Sequence, residues 1–191
     1  DCSTNAKGYR NGEPIEPPVT NVKYDGTALT LDDEYVVRYD DNCYAGTARV
    51  WVEGRGKYNG LKSAEKTFLI RKNISDSAGY PEGMLIIANS IPDQSYQGGQ
   101  PVEVPGEQIV LYDPDYGMSK ALVCDTDFEI VGHSSNNTEE GEASVTIQGI
   151  GNYNGTRTLP FKIVAAHLDA KWVDVSAADC VYNGKDQFSK V

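Results

Sequence analysis

Apolar and polar positions alternate with a period of two along several short stretches of the chain. Val50 and Val52 are separated by Trp51, and Val145 and Ile147 by Thr146. Side chains of a strand point alternately to its two faces, so this pattern predicts strands with one buried and one solvated face. No stretch shows a sustained helical period, and one helical turn is the most that we expect.

The strongest signal is an internal repeat. Residues 46–60 and 141–155 share every glycine and end on the same Tyr-Asn-Gly, at a constant offset of 95 residues from Gly54 to Gly149. An opening motif with tyrosine, glycine and proline begins at Tyr9 and again at Tyr96, and a third copy begins at Tyr182. A repeat at this spacing predicts an array of similar domains.

Short strands separated by glycine-rich turns predict an all-β fold of tandem immunoglobulin-like β-sandwich repeats. We expect repeat 1 over residues 1–72, a polar linker over 73–83, repeat 2 over 84–165 with an inserted loop at 105–127, and the start of a third repeat over 166–191. Repeat 2 enters through a predicted strand, Met84–Asn89, for which the polar residues 1–7 are a poor counterpart. Repeat 1 is therefore expected to expose a sheet edge, and a strand near Trp172-Val173 to cover an edge.

Charge and composition narrow the function classes. The formal charge of −11 repels phosphate backbones and argues against nucleic acid as a partner. The longest apolar run, Met84–Ala88, is far too short to cross a bilayer. The chain begins at Asp1 rather than Met, and we expect a processed or trimmed fragment. The four cysteines have no metal-ligand spacing, which favours free buried thiols over disulfides: Cys2, Cys43, Cys124 and Cys180.

The motif set resembles the tandem bacterial Ig-like (MBG-like) surface repeats of extracellular proteins from gut Firmicutes. The resemblance rests on these segments of the first copy, most of which recur in the second: Tyr9–Val19, Glu34–Val37, Gly46–Ala48, Gly54–Gly60 and Phe68–Ile70. It implies a secreted or cell-surface protein and a non-catalytic stalk, spacer or adhesin module whose partners are neighbouring repeats. The inserted loop of repeat 2 and residues 132–140 depart from the family pattern.

The inserted loop supports an alternative function, the binding of carbohydrate or a host surface protein. Tyr112 and Tyr116 flank an Asp-Pro-Asp turn in this loop, and Trp51 occupies an outward position of its strand. Exposed aromatic rings stack on sugars, although these rings could equally cover the ends of the sandwich.

Calcium is the one cofactor that the sequence leaves open. Carboxylates two residues apart on an extended chain share a face, as Asp113 with Asp115 and Asp125 with Asp127 do. Calcium binds several such oxygens, but no complete EF-hand is present, and solvated turn aspartates explain the same pattern.

The repeated tyrosine-glycine turns are predicted to be structural, with Tyr58 and Gly60 in repeat 1 and Tyr153 and Gly155 in repeat 2. Isopeptide cross-links between lysine and asparagine occur in some surface Ig-like domains and need both partners buried beside an acid, which a sequence does not show. His133 and His167 lie near no nucleophile motif. We therefore expect no enzymatic activity.

Overall fold

The computed structural model describes residues 7–118 and 120–166, and this part of the chain is all-β. Repeat 1 contains β1 (Lys7–Gly8), β2 (Lys23–Tyr24), β3 (Thr27–Ala28), β4 (Tyr35–Asp40), β5 (Gly46–Gly54) and β6 (Lys66–Asn73). Repeat 2 contains β7 (Ile87–Ala88), β8 (Gln94–Ser95), β9 (Leu111–Tyr112), β10 (Phe128–His133), β11 (Gly141–Gly149), β12 (Tyr153–Asn154) and β13 (Thr156–Val164). Four 3-10 turns accompany the strands: Gly56–Tyr58, Glu82–Met84, Gly106–Gln108 and Pro114–Tyr116. None of the described residues forms a helix long and apolar enough to span a membrane.

The main sheets of the two repeats have the same strand order. In repeat 1, β6 lies between β5, which is antiparallel to it, and the short β1, which is parallel, and β4 forms the far edge. In repeat 2, β13 lies between β11 and β8 in the same way, and β10 forms the far edge. Two small antiparallel pairs, β2–β3 and β7–β9, lie outside the main sheets.

The two repeats also agree in register. Tyr35 pairs with Gly54 as Phe128 pairs with Gly149, and Ala48 pairs with Phe68 as Ala143 pairs with Phe161. A slip of one residue would turn every buried side chain to solvent, so matching pairs mean that the two copies bury equivalent positions. The prediction of an all-β, tandem Ig-like fold is confirmed.

A repeated asparagine fixes the strand-like segment that packs opposite each main sheet. The backbone N–H of Ile15 donates to the Asn42 carbonyl at 2.9 Å, and Asn42 Nδ2 donates back to the Ile15 carbonyl at 3.2 Å. Asn137 makes the same two bonds with Val102, at 2.8 and 3.1 Å. These bonds satisfy backbone groups that no sheet pairs, as buried polar groups require.

Each repeat has its own hydrophobic core, and the two differ in size. Within the described residues, the core of repeat 1 contains six buried side chains: Tyr9, Ile15, Ala48, Val50, Phe68 and Ile70. The core of repeat 2 contains sixteen, including Val145, Ile147, Phe128 and Phe161. Because a small core supplies little stability, repeat 1 is the member of the pair that benefits more from contact with its neighbour.

The segment predicted as a polar linker is packed against both cores. Ile74 is fully buried in the core of repeat 2. The ring of Tyr80 packs edge-on against Tyr9 in repeat 1 at 5.2 Å, and its hydroxyl accepts a hydrogen bond from the backbone N–H of Asn73 at 3.1 Å. The connection between the repeats is therefore a packed structural element rather than a free tether.

Three segments predicted as strands have different outcomes. The strand predicted at Met84–Asn89 is shorter than expected, because a 3-10 turn ends at Met84 and β7 contains only Ile87 and Ala88. Residues 1–6, which were expected to be a weak first strand, and the segment near Trp172-Val173 fall outside the described ranges. The third repeat and its edge-covering role stay predictions.

Glycine at the end of β11 is required by a close approach of backbone. A Cβ added at Gly149 would lie 2.7 Å from the backbone nitrogen of Asn154, which cannot move without breaking the turn. We expect Gly149→Ala to lower the free energy of unfolding by about 1–3 kcal/mol, as overpacking does. Urea denaturation measures this effect.

Gly132 in β10 is the matched control, because a Cβ there meets nothing within 4 Å and its backbone is not left-handed. We expect Gly132→Ala to change stability by no more than about 1 kcal/mol in either direction. Equal effects of the two substitutions would contradict the proposed role of the close approach.

Candidate functional site

The last strand of repeat 1 carries a lysine into the interior of the protein. Along β6, Phe68 and Ile70 point into the core of repeat 1, and Lys72, two residues further, lies on the same face. The strand extends beyond its own sheet, since Lys72 and Asn73 pair in parallel with Tyr153 and Asn154 of β12. One strand thus belongs to both repeats.

The inserted loop of repeat 2 brings two carboxylates to this lysine. Asp113 follows β9 and caps the 3-10 turn Pro114–Tyr116, accepting a hydrogen bond from the backbone N–H of Asp115 at 3.1 Å. Proline at the first position of the turn has its φ preset for this geometry. The turn holds both carboxylates on the side that faces repeat 1.

Lys72 and the two aspartates form a buried ionic cluster at the junction. Lys72 Nζ lies 2.7 Å from Asp113 Oδ1 and 2.8 Å from Asp115 Oδ2. The side chains of Lys72, Asp113 and Asp115 are 0%, 1% and 7% exposed. Charged side chains are almost never buried this completely unless they are paired, and here the pair joins residues 41 positions apart.

Two tyrosines complete the cluster, one from each repeat. Tyr153 donates its hydroxyl proton to Asp113 Oδ2 at 3.1 Å. The ring of Tyr9 lies beneath the lysine, with Nζ 4.6 Å from the ring centroid. The Tyr9 hydroxyl donates to Met84 Sδ at 3.7 Å and lies close to the Asp115 carboxylate.

Burial and the two carboxylates strongly disfavour ionisation of these tyrosines. Burial, followed by the negative charge of Asp113 and the hydrogen bond to it, raises the pKa of Tyr153. Burial, followed by the hydrogen bond to Asp115, raises the pKa of Tyr9. Burial also raises the pKa of Tyr116, and the charges of Asp113 and Asp115 add to the effect. All three hydroxyls remain donors at physiological pH.

The formal charges of the cluster do not cancel. One ammonium faces two carboxylates, so the ionised cluster carries one net negative charge away from water. Such an arrangement is costly unless the charged groups are hydrogen-bonded, and the Tyr153 hydroxyl and the Asp115 N–H donate further bonds to Asp113. Chemically, the site contains a primary amine, two carboxyl groups and proton donors in contact.

Further bonds surround the cluster and fix the junction. The backbone N–H groups of Lys72 and Ile74 donate to the carbonyls of Asn152 and Asn154 at 3.1 and 2.9 Å. Arg71 Nε donates to the Gly151 carbonyl at 3.0 Å. The Tyr116 hydroxyl donates to the Ala45 carbonyl of repeat 1.

The structure places the predicted binding residues in three different surroundings. Tyr112 lies on β9 and pairs with Ile87 inside repeat 2. Tyr116 is 43% exposed, but its hydroxyl is engaged with repeat 1. Trp51 lies on β5 with Lys62 Nζ 4.5 Å from its ring centroid, and its Nε1 donates to Glu53 Oε1 at 3.0 Å. The three rings do not form a common platform.

The candidate calcium ligands also have protein partners. Asp113 and Asp115 do converge on a cation, but the cation is the ammonium of Lys72. Asp127 Oδ2 accepts from the Val123 N–H at 2.9 Å, and Asp125 has a left-handed backbone with φ of 63°. Across residues 7–118 and 120–166, no three His, Cys, Asp or Glu side chains are grouped to hold a metal ion.

The repeated tyrosine-glycine turns have different surroundings in the two copies. Tyr153 and Gly155 lie at the junction, and a Cβ at Gly155 would collide with the Asn73 side chain. Tyr58 packs against Tyr24 at 5.4 Å, and Gly60 adopts a left-handed φ of 89°.

Of the cysteines, Cys43 and Cys124 are unpaired and half-buried, and Cys2 and Cys180 lie outside the described residues.

Sequence reasoning missed Lys72 and Tyr9. The signal for Lys72 was present, because period-two alternation from Phe68 and Ile70 puts it on the inward face. A lysine at a predicted strand end is ordinarily solvated, so the alternation alone did not outweigh its charge. Tyr9 marked the repeat, but nothing local indicated that it contacts the next domain.

Comparison with known proteins shows only a distant likeness of structure. No protein-family model and no curated protein matches the sequence. A solved structure described as "Protocadherin gammaB7 EC3-6 cis-dimer structure" is similar at 14% identity and a TM-score of 0.20, over 86% of this chain. The chain spans 46% of the length of that protein.

Removal of the buried ammonium should destabilise the protein strongly. Lys72→Met leaves two carboxylates buried without a counter-charge, and we expect it to cost about 3–5 kcal/mol of unfolding free energy. Lys66→Met, on the exposed start of the same strand, should stay within about 0.5 kcal/mol of the unsubstituted protein. Urea denaturation compares them, and similar losses in both variants would refute the assignment.

Stability should fall as the pH rises above the ordinary tyrosine pKa of about 10. The pKa values of Tyr9 and Tyr153 are raised in the folded state. The unfolded chain therefore loses protons that the folded chain keeps, and each unit of alkaline pH favours unfolding. The stabilising contribution is complete below the unfolded pKa and is lost above it.

Denaturation at a series of alkaline pH values, with tyrosinate absorbance recorded in parallel, measures this dependence. We expect two tyrosines to ionise only as the protein unfolds, and a shallower pH slope in Tyr153→Phe. Ionisation of every tyrosine in a fully folded sample would contradict the burial of these hydroxyls.

Proposed function

We propose that this chain is a non-catalytic stalk, spacer or adhesin module of a bacterial cell-surface or secreted protein. Its role is mechanical: it holds other parts of the protein at a fixed distance and angle outside the cell. The observation that carries the proposal is the buried cluster of Lys72, Asp113 and Asp115, which joins the two repeats through charged side chains shielded from solvent.

A spacer needs domains that do not pivot freely. Here β6 pairs within repeat 1 and then with β12 of repeat 2. Ile74 and Tyr80 tie the intervening segment to the two cores. Repeats that contact only their neighbours build a rod whose length grows with copy number. The net charge of −11 also keeps neighbouring rods apart at high density.

The equivalence of the repeats supports addition of further modules. In repeat 2, the turn containing Tyr153 receives the end of the preceding repeat. The corresponding turn of repeat 1 contains Tyr58, which lies beside Tyr24 and Leu61, both about half exposed. In a longer array this surface would meet the terminal strand of a preceding repeat.

The alternative of a glycan- or host-protein-binding loop has less support. Asp113 and Asp115 of the inserted loop are ion-paired with Lys72, and the Tyr116 hydroxyl donates to the Ala45 carbonyl. The loop is directed at repeat 1, so its chemistry serves the junction. Retention of the protein on a glycan array or on host-cell extracts would favour the alternative and count against a purely mechanical role.

Rotational diffusion tests the spacer directly. Backbone ¹⁵N relaxation should give the same correlation time for residues of repeat 1 and repeat 2, and small-angle scattering should fit one rigid, two-domain shape. Lys72→Met should give two different correlation times in the folded protein, while Lys66→Met should leave them equal. Independent tumbling of the repeats in the unsubstituted protein would overturn the proposal.

A further inference from the structure

The buried cluster contains the reactants for an amide bond in addition to those for an ion pair. Lys72 Nζ is 2.7 Å from Asp113 Oδ1, so the carboxyl carbon, one bond further, is in van der Waals contact with the amine. Asp115 Oδ2, at 2.8 Å from the same nitrogen, is a third group able to accept and return a proton. Contact of fixed reactants can replace a very high concentration of free ones.

We propose that Lys72 and Asp113 condense into an intramolecular isopeptide bond that covalently joins the two repeats. Asp113 is the acceptor, because both of its oxygens are held: Oδ1 by Lys72 and the Asp115 N–H, and Oδ2 by the Tyr153 hydroxyl. Asp115 is the proton relay. The inference depends on the cluster geometry and not on the spacer function.

The reaction balances without any cofactor or oxidant. One proton passes from the ammonium of Lys72 to Asp113, which gives a neutral amine and a carboxylic acid. The nitrogen lone pair forms the Nζ–Cγ bond, and the Tyr153 hydroxyl stabilises the negative charge that develops on Oδ2. Asp115 takes a second proton from Nζ and delivers it to Oδ1, whose bond to Cγ breaks. One water molecule leaves, and Asp115 is again a carboxylate.

Burial favours this reaction in two ways. The ionised cluster places three charges where the side chains are at most 7% exposed, whereas the product contains a neutral amide and a single carboxylate. Burial also limits the access of solvent water, which would reverse the condensation. The bond closes the chain between Lys72 and Asp113, so a pulling force would pass from β6 into the inserted loop directly.

Intact-mass spectrometry of the denatured protein tests the bond. After folding, the mass should be lower than that of the sequence by one water molecule, and trypsin should fail to cleave after Lys72. Proteolysis should then yield a branched peptide that joins Lys72 to Asp113. A folded protein that keeps its full mass after prolonged incubation would overturn the proposal, and a branch that ends at Asp115 would overturn the choice of acceptor.

Variants identify the source of any lost water. Lys72→Arg should keep the full mass, because a guanidinium does not form the amide, and Asp115→Asn should keep it or lose water far more slowly. The exposed Lys66→Met is the matched control and should react like the unsubstituted protein. The Asp25-Gly26 sequence can lose water locally by forming a succinimide. Water loss that persists in Lys72→Arg would therefore refute the isopeptide.

Discussion

The arrangement of the two repeats depends on one lysine ammonium held between two carboxylates in a site shielded from solvent. Lys72 arrives on β6 of repeat 1, and Asp113 and Asp115 arrive on the inserted loop of repeat 2. Burial of the lysine without the aspartates, or of the aspartates without the lysine, would cost about 3–5 kcal/mol of unfolding free energy. The docking of the repeats and the burial of these charges are therefore a single event. The packing of Ile74 and Tyr80 and the pairing of β12 with β6 lie at the same junction.

The lysine and the inserted loop occur together at one junction. Repeat 2 has Ala165 where repeat 1 has Lys72, at the offset that relates Phe68 to Phe161. The inserted residues of repeat 2 have no counterpart of equal length in repeat 1. A loop with two aspartates would be destabilising at a junction that lacks the lysine, so the loop and the lysine depend on each other.

The sequence was sufficient for the fold because the fold is repetitive and its signals are local. Alternation at Val50 and Val145 and the glycines at Gly54 and Gly149 predicted strands and turns that the structure contains in matching register. The candidate site was only half predicted. The sequence left open that Asp113 and Asp115 converge on a calcium ion, but the cation that they meet is a lysine 41 residues before Asp113, in another domain. Local patterns do not encode which domain surface a strand end will meet.

A buried ionic cluster suits a junction that must keep its angle. An apolar contact of the same size would stabilise docking as well, since hydrophobic burial has no direction, but it would allow the repeats to slide or rotate with little change in energy. Here every acceptor oxygen of Asp113 has a donor at a fixed position, from Lys72, Tyr153 and the Asp115 N–H. A rotation of a few degrees would break several of these bonds between buried groups, and buried polar groups without partners are costly. The polar cluster therefore fixes the orientation of one repeat relative to the other. The separate hydrophobic cores supply most of the stability of each repeat.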